Sequence, residues 1–102
     1  MAFVCDKTGT VFSVKDLGNG REEWSTEGGF LMFLKDGKYH REDGPAIIFE
    51  DGTRCWALNG LYHRVGGPAI ETAEGYCDWF LNGREVTKSY HDLYVRELER
   101  GL

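Results

Sequence analysis

The sequence predicts a mainly β fold, an elongated antiparallel sheet of consecutive β-hairpin repeats closed by one C-terminal α-helix. Three observations predict it. Asp36-Gly37-Lys38-Tyr39-His40-Arg41, followed by Gly44-Pro45-Ala46, returns 23 residues later as Asn59-Gly60-Leu61-Tyr62-His63-Arg64, followed by Gly67-Pro68-Ala69. The same step carries Ile47 onto Ile70, Gly52 onto Gly75 and Trp56 onto Trp79, and reaches Asn82-Gly83, so the match is a register of one supersecondary unit. The 14 glycines against two prolines mark many tight turns between short runs. After Gly83 the apolar residues change from strand spacing to helix spacing.

Taken in order, residues 1–20 read as a lead-in hairpin. Phe3 and Val4 precede the turn-prone Asp6-Lys7-Thr8-Gly9, then Val11, Phe12 and Val14 follow, and Gly18-Asn19-Gly20 breaks the chain. Residues 21–86 hold three hairpin repeats, the first of them degenerate. In that first unit the 23-residue step places Trp24 and Phe33 where Ile47 and Trp56 stand later, but Arg21-Glu22-Glu23 occupies the Gly-Pro-Ala position. In the second unit Ala46 to Glu50 and Thr53 to Leu58 flank Asp51-Gly52, a dipeptide suited to a two-residue type I′ turn. That turn predicts Ile47 opposite Trp56 and Ile48 opposite Cys55, with Ile70 opposite Trp79 in the third unit.

Stacked units then line up Trp24/Phe33, Ile47/Trp56 and Ile70/Trp79 as a core ladder on one face, leaving Phe30, Met32, Leu34, Ile48, Cys55 and Phe80 on the other. Pro45 and Pro68 sit at strand entries, where the missing N–H removes no ladder bond. Residues 87–100 form the helix, with Thr87 as N-cap, Tyr90, Leu93, Tyr94 and Leu98 at helical spacing, and Gly101 past the end. Its expected role is to cover the last unit or the back of the sheet.

Length and charge narrow the function classes. A 102-residue chain forms one domain, here residues 1–102, with room for one site. A net charge of -5 disfavours nucleic acid and anionic membrane as partners, since both are bound through a positive field. No apolar run is long enough for a bilayer span, and Met1 to Val4 followed by Cys5-Asp6 lacks signal-peptide regions, so a cytoplasmic location is expected. Cys5, Cys55 and Cys77 are then reduced thiols. No nucleophile elbow, phosphate-binding loop or zinc quartet is written in the chain, which predicts a protein with no catalytic residues, no metal and no cofactor.

The pattern His-Arg-x-x-Gly-Pro-Ala, an acidic residue plus Gly, then Trp and Asn-Gly, resembles the short MORN-like repeat proteins encoded by bacteriophages and large DNA viruses. The resemblance covers Asp36 to Val86. It implies consecutive hairpins in one elongated sheet, and a scaffolding or interaction role. His40-Arg41 and His63-Arg64 depart from the His-Gly of eukaryotic MORN repeats, and this weakens the lipid-binding reading. The viral resemblance implies an accessory protein that meets a host protein and inhibits it, an anti-defence role among others.

Two sets of residues are therefore candidates. Aromatics Phe30, Trp56 and Phe80 with rim charges Glu50, Glu71 and Asp78 are the expected contacts for a protein partner, a host protein or a second copy in a homo-oligomer. Lys38, His40, Arg41, His63, Arg64 and Arg84 recur along one edge and offer donors to a small anionic ligand such as a nucleotide. The competing role of each His-Arg pair is structural, with its donors on turn carbonyls or on Glu42 and Asp43.

Overall fold

Turn chemistry sets the path of the chain. In the computed structural model, which describes residues 2–101, two kinds of turn alternate along the molecule. Met1 and Leu102, the outermost residues of the expected domain, lie outside the described residues. At one edge Asn19-Gly20, Asp36-Gly37, Asn59-Gly60 and Asn82-Gly83 all have positive φ at both positions, as a type I′ turn requires. At the other edge lie Asp6–Thr10, Thr26–Phe30, Phe49–Thr53 and Thr72–Tyr76. In each of these the first residue's N–H donates to the fifth residue's carbonyl, and the fourth, a glycine at φ 88 to 105°, donates back to the first. This is a turn with a glycine bulge.

The elements between turns follow. The lead-in hairpin is β1 (Ala2–Cys5) and β2 (Val11–Gly18), then come β3 (Arg21–Ser25), β4 (Leu31–Lys35) and β5 (Lys38–Tyr39). The second unit gives β6 (Ile47–Ile48), β7 (Arg54–Cys55), β8 (Ala57–Leu58) and β9 (Leu61–Tyr62); the third gives β10 (Ile70–Glu71), β11 (Cys77–Leu81) and β12 (Arg84–Val86). Helix α1 (Lys88–Glu99) ends the chain. All pairings are antiparallel, in the order β1-β2-β3-β4-β6-β7-β10-β11-β12, with β5 on β4 and β8-β9 as a separate ribbon. The molecule measures 45 × 33 × 19 Å, and the expected fold class is observed.

The predicted register is off by one residue. Only Gly52 of Asp51-Gly52 has positive φ, so the connection is the bulged turn and Ile47 pairs with Cys55, Ile48 with Arg54 and Ile70 with Asp78. A single extra loop residue moves every side chain of the returning strand to the other face. Across the sheet Val14, Trp24, Met32, Ile47, Cys55, Ile70 and Asp78 stand in one row. Ser13, Ser25, Leu31, Ile48, Arg54, Glu71 and Cys77 stand in the neighbouring row, which points the other way. The expected single ladder is thus split, with Trp24, Ile47 and Ile70 on the first face and Phe33, Trp56 and Trp79 on the second.

The core differs accordingly. Its fully buried members are mostly small, Ala46, Ala57 and Ala69 beside Ile47 and Cys55, while the tryptophans are half-buried. Ala46 and Ala69 lie where three segments meet: Ala46 accepts from Phe33 N–H and donates to the Cys55 carbonyl, and Ala69 does the same with Trp56 and Asp78. A larger side chain there would force the strands apart. Phe30, Met32, Tyr62 and Ile70 pack around this centre.

Thr87 caps α1 as its type predicts, its side chain accepting from Tyr90 N–H, and Gly101 N–H closes the end on Leu98 carbonyl. The docked face is not the expected stripe. His91 is buried, with Tyr94 and Val95 half-buried, whereas Tyr90, Leu93 and Leu98 are exposed.

Candidate interaction surface

The second face is closed by a ladder of cations over rings. Arg41 lies 4.1 Å from the centre of the Phe33 ring and Arg64 lies 3.6 Å from that of Trp56, 23 residues on in both partners. Each guanidinium also reaches four residues forward, donating to Pro45 or Pro68 carbonyl. Arg41 pairs with Asp43 at 3.0 Å, while Arg64 shares Glu71 with Arg54. Stack, carbonyl bond and carboxylate together fix a planar, forked donor in a way an ammonium would not reproduce.

Trp79, next in the series, has no arginine above it because Val86-Thr87 stands where the step would place His-Arg. The helix supplies the substitute. His91 is 2% exposed, its ring 4.7 Å from Trp79 in an edge contact, and its Nε2 lies 2.6 Å from Arg64 carbonyl, so Nε2–H is the donor. Lys88 Nζ stands 5.6 Å from the same indole.

The histidines of the predicted basic edge face inward. Asn59 N–H donates to His40 Nδ1 at 3.0 Å, and Asn82 N–H to His63 Nδ1 at 2.9 Å, so each imidazole clamps the type I′ turn of the next unit. Burial, and secondly the neighbouring His91, hold His63 below the ordinary imidazole value. Lys38 and Arg84 are exposed, and Arg41 and Arg64 are engaged as described. The six residues therefore lie on one turn edge, but four of them already serve the repeat.

On the first face, among the described residues, no cation stands over the rings. Phe12, Trp24, Phe30 and Phe49 form a row of edge-to-face contacts at its lead-in end, at 5.6 Å for Phe12–Trp24, 6.0 Å for Phe12–Phe30 and 5.6 Å for Phe30–Phe49. Further along, Tyr62 and Phe80 meet at 5.3 Å. Of the predicted partner contacts, Phe30 and Glu50 come together at the aromatic row. Phe80 is on the same face at the far end, and Asp78 is exposed there. Trp56 and Glu71 belong to the opposite face, within the Arg64 network. The six do not form one patch.

Sequence reasoning missed Phe12, Phe49, Asp6 and Asp51 at the aromatic row, and His91 under the helix. A signal for the first group existed: Asp6-Lys7-Thr8-Gly9-Thr10 has its glycine at the fourth position, like Phe49-Glu50-Asp51-Gly52-Thr53, which makes the lead-in one more bulged tip.

Cys55 is buried, and burial pushes its thiol up, whereas Cys5 and Cys77 are exposed; all three are free. Among the described residues no three His, Cys, Asp or Glu side chains converge as metal ligands, and no helix is long and apolar enough to cross a membrane. Comparison with family models, curated proteins and solved structures returned no match.

Proposed function

We propose that this chain is a non-catalytic interaction module of MORN-like hairpin repeats that occupies the surface of a host protein with the first face of its sheet. The observation that supports the reading is the inequality of the two faces. One has its aromatics covered by the chain's own Arg41, Arg64 and His91, while on the other, among the described residues, a half-buried aromatic row ending in the exposed Phe49 and a half-buried Tyr62–Phe80 pair meet rings of their own face. Contiguous, partly exposed aromatic surface of this kind marks contact sites. The likeness to phage-encoded repeat proteins makes the infected cell the source of the partner and occlusion the mechanism, a defence-system component being one such target.

Immobilised chain incubated with lysate of the host bacterium tests this. The expected result is one protein retained in stoichiometric amount at micromolar concentration and released by excess soluble chain. Retention of nothing contradicts the proposal.

A further inference from the structure

We propose that the groove lined by Phe12, Phe30 and Phe49 and rimmed by Asp6, Glu50 and Asp51 is the docking site for a cationic side chain, arginine or lysine, carried on an apolar segment of a partner protein. The inference rests on the interaction reading above and names the chemistry of its partner.

The groove is shallow and open, about 420 Å³ between three successive bulged tips, enough for one long side chain lying along it. Its floor is the edge-to-face row ending in the exposed Phe49, and the electron-rich face of an aromatic ring attracts a cation. Its rim is acidic. The tips Asp6–Thr10, Thr26–Phe30 and Phe49–Thr53 contain Asp6, Glu27, Glu50 and Asp51 against the single cation Lys7.

The rim charge is fixed by the turns themselves. Asp6 Oδ1 accepts from the Thr8 hydroxyl and from Thr8 and Thr10 N–H, and Asp51 Oδ1 accepts from Thr53 N–H at 2.8 Å. These bonds hold both carboxyls below the ordinary aspartate range, so both are ionised at neutral pH. An anionic ligand is repelled by such a rim, and a purely apolar segment gains nothing from it. A long cation satisfies ring and carboxylate together. The molecule solves the same problem internally on its other face, where Arg41 covers Phe33 and meets Asp43, and Arg64 covers Trp56 and meets Glu71.

The test is NMR titration of the full chain with three capped tetrapeptides, Leu-Xaa-Leu-Gly with Xaa as Arg, Gln or Glu. The Arg peptide is expected to shift the ring signals of Phe12, Phe30 and Phe49 and the Glu50 amide, to bind roughly tenfold more tightly than the Gln peptide, and to weaken with salt. The Glu peptide is expected to produce no shifts there. Phe49→Ala and Glu50→Gln, both at exposed positions, are each expected to weaken the Arg peptide by about fivefold to tenfold with unchanged thermal unfolding. Glu50→Gln keeps the test valid if Phe49→Ala disturbs the fold.

Equal affinity for the Arg and Gln peptides overturns the proposal, as do shifts centred on Tyr90 and Leu93. Concentration-dependent broadening of the three Phe signals without peptide also overturns it, by making a second copy the occupant. A lysate partner whose binding survives both substitutions overturns this inference and leaves the interaction reading intact. Arg-peptide binding without any retained lysate protein supports the groove and contradicts only that reading.

Discussion

Arg64 shows how one side chain can hold two repeats together. Its guanidinium covers a ring of the preceding hairpin, bonds a carbonyl of its own and shares a carboxylate with Arg54, all in a half-buried setting. Replacing it by alanine removes a cation–π contact and a charge-assisted bond, and is expected to cost about 2–3 kcal/mol in urea unfolding. Arg64→Lys should recover less than half, because a compact ammonium cannot stack and fork at once.

His63 supplies a pH dependence. Its folded value lies below the ordinary 6.5, so above that pH both states are neutral and the Asn82 clamp is fully present. As pH falls from about 6.5 towards the folded value, the unfolded chain takes up the proton first and stability declines. The urea midpoint should fall between pH 7.5 and 5.5, and His63→Gln should flatten that slope. A further loss is expected in the carboxylate range, where the unfolded chain protonates its aspartates before the depressed Asp6 and Asp51 of the fold do.

At the scale of the hairpin, the glycine bulge decides which face each side chain joins. Gly52 sits at φ 94° with open space where a Cβ would lie, so the cost of Gly52→Ala is conformational alone, about 1–2 kcal/mol. Gly66, equally open and without a positive φ, is the control. Gly66→Ala should be neutral or slightly stabilising in the same measurement.

This bulge also marks the limit of what the sequence tells. The 23-residue step, the run of consecutive hairpins and the Thr87 cap are legible, because each depends on local backbone chemistry. Asp-Gly, however, suits both a two-residue turn and a bulged one, and the difference of one residue separates a single mixed ladder from two unlike faces. The small buried residues were hidden for a related reason. Ala46 and Ala69 look like strand entries after proline, and only the three-segment crossing explains why nothing larger stands there. Phe30 and Glu50 could be named in advance, but not Phe12, whose place beside them depends on how the lead-in strands pair.

For the whole molecule, the ladder of rings has to end somewhere, and α1 ends it. Val86-Thr87 in place of His-Arg deprives Trp79 of a close guanidinium, and the helix returns one imidazole to the same position, with the Lys88 ammonium 5.6 Å away. His91→Ala leaves Arg64 carbonyl without its partner and opens a space beside the indole, an expected loss of about 2–3 kcal/mol. The same variant should expose Trp79 to iodide quenching while the lead-in hairpin keeps its amide protection, since the repeat units contact only their neighbours.

The second face is held above all by the cations of successive units standing over the rings of the units before them. Proton NMR measures this directly, through ring-current shifts. The δ-methylene signals of Arg41 and Arg64 should lie well upfield of an exposed arginine, with cross-relaxation to Phe33 and Trp56 respectively, and the His91 ring should show the same to Trp79. Arginine δ-protons at ordinary positions, without contacts to those rings, would contradict it.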